Sequence, residues 1–377
     1  MQFRDLQRQY HALQKDIDQA LIACAASGRY IMGDTVEHIE QKLAEYVGVG
    51  HCVTCANGTD ALTLALKVSS IGKGDAVFVP DFTFFASAEV VAREGATPVF
   101  VDVEPTTFNL SPASLAEALH AVRDEGRLTP RAIIAVDLFG LPADYPALSS
   151  IAKQNGLLLI EDGAQGFGGT IGNQRACSFG DIATTSFFPP KPLGCYGDGG
   201  ALFTNNDQWA ETARSLRLHG RSPKDKYDNQ HIGMNSRLDA MQAAVLSVKL
   251  DAFIRHELQD IREIASRYTQ LLQSTDTLAC PIVPDGFGSS WAQYTLRLNN
   301  KETRDHLRSL LAAADIPSMV YYPKTLSDQS AFANTKHYIP TPVAHTLCDT
   351  VLSIPIHPYL TTNEAEHVAQ QIIKSLS

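Results

Sequence analysis

The chain has 377 residues, of which 44% are hydrophobic and 19% charged, and its formal net charge at pH 7 is −10. This length allows a large α/β domain and a smaller second one. The acidic balance without a basic stripe argues against a nucleic-acid partner, and the lack of an apolar run of about 20 residues argues against a membrane span. Because the first residues are polar and unlike a signal peptide, we expect a cytoplasmic protein.

The chain alternates short apolar runs with helical patterns up to about residue 206. Helical spacing covers residues 6–27 and 35–47, and further helices are predicted at 58–70 and 145–156. Strands are predicted at 51–56, 75–81, 97–103, 131–140, 156–165, 181–188 and 200–206. Continuous apolar strands that alternate with helices predict a doubly wound, mostly parallel α/β sheet with both faces covered.

The pattern changes near Arg237. A helical stretch over residues 236–273 is followed by a strand at 290–299, a helix at 301–316, a strand at 318–323 and a final helix after Pro358. Few strands separated by helices predict a smaller C-terminal α+β domain. We place the boundary so that residues 1–249 form the large domain and residues 250–377 form the small one.

The seven cysteines are scattered, unlike the disulfide framework of a small secreted protein. Cys52 and Cys55 form a C-x-x-C pair. The pair lies in a predicted strand, where residues three apart face opposite sides, and no second pair completes a zinc site. We therefore favour packing over redox or metal chemistry for these two cysteines.

Residues that follow the strands are the candidates for chemistry, because ligands of an open parallel sheet bind at the carboxyl ends of its strands. Asn57, Gly58, Thr59 and Asp60 follow the first strand and begin a helix. Glycine lets a ligand approach the backbone closely, and the first-turn amides lie at the positive end of the helix dipole. The segment is either a phosphate cradle or an ordinary N-cap, and this pattern alone does not separate the two.

Two charged residues follow later strands. Asp162 ends a hydrophobic strand, where a carboxylate needs a cation or several donors unless it caps the next helix. Lys191 follows Ser186 by five residues and lies between Pro190 and Pro192, which restrict its backbone. Burial or a nearby cation lowers the pKa of a lysine and frees its amine, whereas a charged lysine here can bind a phosphate. An amine, a carboxylate and a phosphate cradle at one sheet edge are what pyridoxal phosphate requires.

Five motifs extend this interpretation. CANGTDAL, PDFTFFAS, LIEDGAQGFG, SFFPPKPLGCYGDGGA and GMNSRLDAMQAA occur in this order between residues 52 and 244. Through them the chain resembles, over essentially its full length, the DegT/StrS family of pyridoxal-phosphate-dependent nucleotide-sugar aminotransferases. The resemblance implies a fold-type I aminotransferase with pyridoxal 5'-phosphate as its cofactor.

Within the family, the chain is most similar to enzymes that move the amino group of glutamate to C3 of UDP-2-acetamido-3-keto-glucuronic acid for O-antigen synthesis. Amination at C4 of a 4-keto-6-deoxy sugar is the alternative. The stereochemistry of the sugar and its nucleotide, UDP or dTDP, stay open.

The resemblance also implies roles for single residues. Lys191 corresponds to the lysine that binds the cofactor covalently and moves the proton, and Asp162 to the partner of the pyridine nitrogen. The remaining cofactor residues are Gly58, Thr59 and Ser186 at the phosphate, Phe84 stacked on the ring, Gln165 near the ring hydroxyl, and Asn235, which reaches the phosphate from a neighbouring subunit. A site shared in this way implies a homodimer.

Substrate contacts are implied for three residues. Arg237 corresponds to a residue that faces the sugar nucleotide, and its guanidinium suits the sugar carboxylate. Tyr321 and Tyr322 stand where many relatives have His-Tyr, so Tyr321 either contacts the substrate or packs in a strand. His219 and Arg221 follow a helix, where they either approach the substrate phosphates or only solvate the loop, and His357 either lines the active site or caps a strand; no role is assigned to these three residues.

Two other classes of function stay open. Some relatives are sugar dehydratases with a histidine in place of the lysine, so Lys191 argues against that activity. A non-catalytic cofactor-binding or regulatory protein is disfavoured by the combination of Lys191, Asp162 and Gln165.

Overall fold

Helices and strands alternate through the computed structural model, which describes residues 1–225 and 227–376. The strands are β1 (His51–Cys55), β2 (Asp75–Pro80), β3 (Thr97–Val101), β4 (Thr129–Val136), β5 (Leu158–Asp162), β6 (Thr170–Ile171), β7 (Gln174–Arg175), β8 (Ile182–Ser186), β9 (Gly200–Thr204), β10 (Leu278–Ala279), β11 (Phe287–Gly288), β12 (Tyr294–Leu298) and β13 (Val351–Ile354).

Each predicted helical stretch contains at least one α-helix, and the helices at residues 86–93, 112–125, 207–216 and 342–350 come in addition to the predicted ones. The α-helices are α1 (Leu6–Ser27), α2 (Asp34–Val47), α3 (Gly58–Val68), α4 (Ala86–Arg93), α5 (Pro112–Glu125), α6 (Tyr145–Asn155), α7 (Asp207–Leu216), α8 (Ala240–Ala252), α9 (Leu258–Leu272), α10 (Lys301–Ala313), α11 (Pro342–Thr350) and α12 (Thr362–Leu376). A π-helical turn, Phe253–Glu257, joins α8 to α9. No described helix has both the length and the apolar character needed to cross a bilayer.

The central sheet has the strand order β1-β9-β8-β5-β4-β2-β3. Its pairs from β8 to β3 are parallel, whereas β9 is antiparallel to both of its neighbours. All strands of this sheet except β9 therefore run in one direction, and their carboxyl ends lie at one edge. The prediction of a doubly wound, mostly parallel sheet is confirmed.

Apolar side chains cover both faces of the sheet, as the continuous hydrophobic strands require. Strand β1 illustrates this, because Cys52 packs in a cluster with residues of α2 and α8, whereas Cys55 packs in a cluster with residues of α3. Both thiols are buried and form no disulfide. The packing interpretation of the C-x-x-C pair is thus confirmed.

A separate apolar core lies in the C-terminal part. The antiparallel sheet β10-β12-β13 packs with α9, α10 and α12, and its core includes Ile261, Leu296, Leu307 and Ile372. Helix α8 instead contributes to the clusters of the large sheet, so the core changes across the π-helical turn. The boundary between residues 249 and 250 stays a prediction.

The strand predicted at 318–323 is wrong. Only Met319 forms an isolated bridge, with Ser353, and the chain then leaves the sheet. Pro323 has no amide hydrogen to extend the ladder, and the rings of Tyr321 and Tyr322 pack in a different cluster, with Phe82 and Phe139. This departure brings the two tyrosines to the edge of the large sheet.

Two buried carboxylates hold loops of the C-terminal part against the large sheet. Asp81, which follows β2, accepts hydrogen bonds from the amide of Ser327 at 2.7 Å and from the hydroxyl of Thr341 at 2.6 Å. Asp102, which follows β3, accepts bonds from the first amides of α11, including that of Ala344 at 2.8 Å. A carboxylate at a helix N-terminus is stabilised by the helix dipole. The C-terminal loops are thereby fixed over the edge where the parallel strands end.

Candidate active site

Lys191 and Asp162 lie together at this edge. The Asp162 carboxylate is 4% exposed and accepts hydrogen bonds from the Ser87 hydroxyl at 2.8 Å and the Ala164 amide at 3.2 Å. Among the described residues, no cation forms an ion pair with it within 4.0 Å. Burial raises the pKa of Asp162, and the hydrogen bonds and the charge of Lys191 offset this only in part. Asp162 is thus a buried carboxylate that a cationic ligand would stabilise.

The amine of Lys191 is shifted in the opposite direction. Burial lowers the pKa of Lys191 to about 8, the charge of Asp162 opposes this shift, and the charge of Arg4 adds to it. At neutral pH a much larger fraction of this amine is neutral than in an exposed lysine. A neutral amine is what a nucleophile and general base needs.

A cradle lies where α3 meets the ends of β8 and β9. Asn57 caps α3 by accepting a hydrogen bond from the Asp60 amide at 2.8 Å, so the N-cap interpretation holds for this residue. The amides of Gly58 and Thr59 belong to the first helical turn, which has no intrahelical acceptor. A Cβ atom on Gly58 would lie 2.7 Å from the Cβ of Ser186. Glycine therefore permits the close approach of this helix N-terminus to Ser186, which brings first-turn amides and the Ser186 hydroxyl to one place, where an anion can bind.

Ser236, which sequence reasoning missed, fixes the cradle from the loop before α8. Its buried hydroxyl accepts a hydrogen bond from the Ala56 amide at 3.0 Å and donates one to Asp60 at 2.7 Å. Its neighbour Asn235 is exposed, and Arg237 is half-buried. The motif that contains these residues is therefore attached through Ser236 to the N-terminus of α3 in its own chain. Its one visible signal was its place within a motif, which does not reveal a contact with residues 180 positions away.

Aromatic and amide groups complete this edge. The ring of Phe84 is 55% exposed and lies 6.4 Å from the ring of Tyr322. Gln165 is buried; its side-chain oxygen accepts a bond from the Phe139 amide at 2.8 Å, and its nitrogen donates to the Tyr322 hydroxyl at 3.2 Å. Tyr321 instead packs edge-on against Phe3, with ring centroids 6.2 Å apart.

The residues without an assigned role are in different surroundings. His219 and Arg221 are exposed in the loop after α7. His357 is 2% exposed, its Nδ1 atom has no hydrogen-bond partner among the described residues, and it lines one narrow cavity with Lys191 and Arg4. Burial and the charge of Arg4 lower the pKa of His357 to about 4, so its ring is neutral at physiological pH.

Beneath the Asp162 turn lies a pair of carboxyl groups that sequence reasoning also missed. Asp137 and Glu161 have no exposed surface and interact with each other. Glu161 accepts backbone hydrogen bonds from Cys177 and Phe179, whereas the Oδ2 atom of Asp137 has no hydrogen-bond partner in the described chain. Burial raises the pKa of Glu161 to about 7, and burial together with the charge of Glu161 raises the pKa of Asp137 well above its usual value. The pair therefore holds a proton at neutral pH.

This pair predicts a pH dependence of stability. Because the pKa of Glu161 is raised from 4.5 to about 7, the folded chain holds protons that the unfolded chain releases, and stability falls as pH rises through this range. An amide at position 137 replaces the proton with a permanent donor to Glu161. We expect Asp137→Asn to stabilise the protein by on the order of 1 kcal/mol at about pH 8 and to have a smaller effect near pH 5. Urea unfolding of both proteins at the two pH values measures this difference; an equal effect at both would contradict the shared proton.

The residues at this edge fit pyridoxal phosphate. A buried carboxylate without a cationic partner suits a protonated pyridine nitrogen, the glycine-lined cradle suits a phosphate, and the exposed ring of Phe84 offers a stacking surface. Together with an amine at Lys191 whose pKa is lowered to about 8 and a doubly wound sheet, this arrangement is that of a pyridoxal-phosphate enzyme of fold type I.

The chain belongs to the DegT/DnrJ/EryC1/StrS aminotransferase family, whose model matches residues 11–373. It is 41% identical over 364 residues, 96% of each chain, to "UDP-2-acetamido-2-deoxy-3-oxo-D-glucuronate aminotransferase" of Pseudomonas aeruginosa. It is 40% identical to "Pleiotropic regulatory protein" of Geobacillus stearothermophilus, over 98% of this chain and 96% of that one. It is also 39% identical to "UDP-N-acetyl-3-dehydro-alpha-D-glucosamine 3-aminotranferase" of Acidithiobacillus ferrooxidans, over 99% of this chain and 97% of that one.

Solved structures agree with the fold. A DegT DnrJ EryC1 StrS aminotransferase from Brucella abortus is 46% identical, with a TM-score of 0.96 over 100% of both chains. DesV of S. venezuelae, solved in complex with a ketimine intermediate, is 35% identical, with a TM-score of 0.92 over 99% of this chain and 97% of that one. The predicted fold class and family are confirmed.

Proposed function

We propose that this chain is a pyridoxal-phosphate-dependent aminotransferase that moves the amino group of glutamate to a keto group of a nucleotide sugar, at C3 of UDP-2-acetamido-3-keto-glucuronic acid. The observation that carries the proposal is the juxtaposition of Lys191, whose pKa is lowered to about 8, with the buried carboxylate of Asp162 at the edge where the parallel strands end. Relatives at 41% and 39% identity are named for transfer to 3-oxo sugars, which supports this position over C4.

Each residue of the site has a distinct part in holding the cofactor. The first-turn amides of Gly58 and Thr59, with the Ser186 hydroxyl, bind the phosphate. Asp162 stabilises a proton on the ring nitrogen, and Ser87 orients Asp162 through their 2.8 Å hydrogen bond. Phe84 covers one ring face, and Gln165 has a second amide hydrogen left for the ring hydroxyl. When bound, pyridoxal phosphate carries the transferred amino group and accepts the electron pair left after a proton is removed.

Lys191 moves the protons. Its neutral amine removes a proton from the α-carbon of glutamate and, in the second half of the reaction, returns a proton to the sugar carbon that receives the amino group. One residue can serve both directions because a pKa of about 8 lies close to the working pH, so that the amine both accepts and gives up a proton readily. The products are 2-oxoglutarate and the amino sugar.

A homodimer with shared sites supplies the remaining contacts of the proposal. Asn235 is exposed in the single chain, and large apolar residues are exposed as well: Tyr30, Ile31, Phe188 and Ile232. Ile31 bridges to Asp239, which connects part of this surface to the segment of Asn235 and Arg237. These observations support a second copy that covers the surface and receives Asn235 at its phosphate. Cytoplasmic location and use of the product in O-antigen synthesis stay predictions.

The rival functions have less support. A dehydratase of this family has histidine where Lys191 stands. One relative is named as a regulatory protein, but a protein that only binds the cofactor does not need a lysine amine whose pKa is lowered to about 8 beside a buried carboxylate.

The substrate proposal predicts a selective effect of Arg237. We expect Arg237→Ala to lower kcat/KM by about tenfold to a hundredfold for the keto-uronic acid, because a bidentate contact to a carboxylate is lost, and far less for its neutral analogue. Steady-state assays with both sugars measure this ratio, and a 4-keto-6-deoxy sugar tests the C4 alternative. Arg255→Ala removes an exposed arginine of the π-helical turn, whose side chain donates a hydrogen bond to the Asp251 carbonyl of the preceding turn, and is the matched control. An unchanged preference in Arg237→Ala would falsify this role.

A further inference from the structure

Arg4 connects the two domains at the catalytic lysine. Its Nη2 atom donates a hydrogen bond to the backbone carbonyl of Lys191 at 3.2 Å, and its Nη1 atom donates to the carbonyl of Ala292 at 3.5 Å. Its neighbour Phe3 packs against Tyr321. The segment before α1 therefore contacts both the lysine loop and the substrate side of the small domain.

The charge of Arg4 has no close carboxylate. Within the described chain, no acidic group lies within ion-pair distance of its guanidinium. The adjacent Asp5 instead pairs with Arg8 at 3.3 Å, and Glu257 accepts hydrogen bonds from Gln9 and Tyr359 and attracts Arg4 only at longer range. Burial lowers the pKa of Arg4 to about 10, so the side chain remains charged at neutral pH.

This charge acts on the groups around it. Arg4 lines one narrow cavity with Lys191 and His357, and it lowers the pKa of both. It also lowers the pKa of the buried Lys249, whose ammonium lies over the ring of Tyr196. The acidic groups that face this set are Asp162 at Lys191, Glu257 of the π-helical turn at Lys249, and Asp5 and Glu364 at His357. Arg4 thus lowers the pKa of Lys191, and Asp162 raises it.

We propose that Arg4 is a positioning residue for Lys191: its guanidinium fork holds the lysine backbone against Ala292 of the C-terminal part, and its unpaired charge adds to the burial that disfavours the protonated amine. Pro190 and Pro192 restrict the loop, and the hydrogen bond from Arg4 fixes the carbonyl between them. An arginine suits this place because its fork donates to two carbonyls at once and stays charged when buried. The inference rests on the proposed function only in taking Lys191 as the base of the reaction.

The test compares variants that remove the charge with one that keeps it. Arg4→Gln and Arg4→Met remove the charge, and Arg4→Lys keeps the charge but loses the fork. Arg8→Gln is the matched control, because Arg8 is a nearby arginine that is ion-paired with Glu364 at 2.7 Å and exerts no resolved effect on Lys191. It tests whether loosening the N-terminal segment alone has an effect.

The first measurement is competitive acylation of the full-length, cofactor-free protein across pH, with mass spectrometry of the peptide that contains Lys191. It reports the pKa of the amine without any substrate, so a wrong sugar or donor leaves it valid. We expect the neutral variants to raise this pKa by about one unit, which is about tenfold less neutral amine near pH 7, and Arg4→Lys and Arg8→Gln to leave this pKa unchanged. A neutral variant that folds with an unchanged profile overturns the electrostatic part, as does an equal shift in Arg8→Gln.

The second measurement is the single-turnover rate of the holoenzyme with glutamate as a function of pH. In Arg4→Gln and Arg4→Met, the acidic limb of the pH–rate profile is expected to move to higher pH, because the pKa of the Lys191 amine rises. In Arg4→Lys, the acidic limb is expected to stay at its wild-type pH, whereas the rate at the optimum pH is expected to fall about tenfold. The rate falls because one ammonium cannot hold both carbonyls in place. A wild-type rate in Arg4→Lys overturns the positioning part.

Discussion

Replacing Lys191 with alanine is expected to lower the single-turnover rate with glutamate by at least about 10⁴-fold, while the protein still folds and still binds the cofactor. Within residues 1–225 and 227–376, the other cations buried near Lys191 are placed differently: the ammonium of Lys249 lies over the ring of Tyr196, and Arg4 remains protonated. The measurement is stopped-flow absorbance of the cofactor after glutamate is added, with far-ultraviolet circular dichroism as the check on folding. A loss smaller than about a hundredfold means that another group moves the proton.

The same variant tests whether the sites are shared. A mixture of Lys191→Ala with Asn235→Ala forms hybrid dimers if the subunits exchange. If Asn235 serves the neighbouring subunit, each hybrid has one site with both residues intact, and about a quarter of the wild-type activity returns in an equimolar mixture. If Asn235 serves its own subunit, every site carries one of the two defects, and the mixture is no more active than the average of its components. The outcome decides the trans arrangement separately from the role of Lys191.

The sequence could predict the parts of this site that follow from local rules. Strand ends, glycines and prolines are read along the chain, and Gly58, Asp162, Ser186 and Lys191 do meet at one edge, because parallel strands end together. The close approach of Gly58 to Ser186 explains why a glycine stands there. The roles of these residues stay proposals, but their placement agrees with the prediction.

The parts that escaped prediction depend on contacts between distant residues. Arg4 and Lys191 are 187 positions apart, and Ser236 and Asp60 are 176 apart, so no local pattern connects them. Asp137 follows its strand as Asp162 does, and only the fold shows that it faces Glu161 rather than a ligand. The strand predicted at 318–323 failed for the opposite reason: β-branched and aromatic residues favour a strand, but ring packing against the large domain prevailed.

The second large effect is expected for Asp162→Asn, which keeps the shape of the side chain and removes its charge. At an effective dielectric of about 20, opposite charges about 4 Å apart interact by about 4 kcal/mol, which is on the order of three pKa units of a ring nitrogen. Without that charge, the pyridine loses its proton near neutral pH and accepts electrons poorly, so we expect the rate with glutamate to fall by about 10³-fold. Single-turnover kinetics at saturating cofactor separates this loss from weaker binding.

Ser87→Ala is the graded control for this residue, because it removes the 2.8 Å hydrogen bond to Asp162 and keeps the charge. We expect Ser87→Ala to lower the rate with glutamate by about tenfold, much less than Asp162→Asn does. A cofactor analogue methylated on the ring nitrogen carries its positive charge permanently. If Asp162 serves to maintain that charge, the analogue should raise the rate of Asp162→Ala by at least about tenfold. If the analogue restores the rate without changing cofactor affinity, Asp162 acts on the protonation of the ring. If the analogue does not restore the rate and Asp162→Asn has only a small effect, the carboxylate has a structural role.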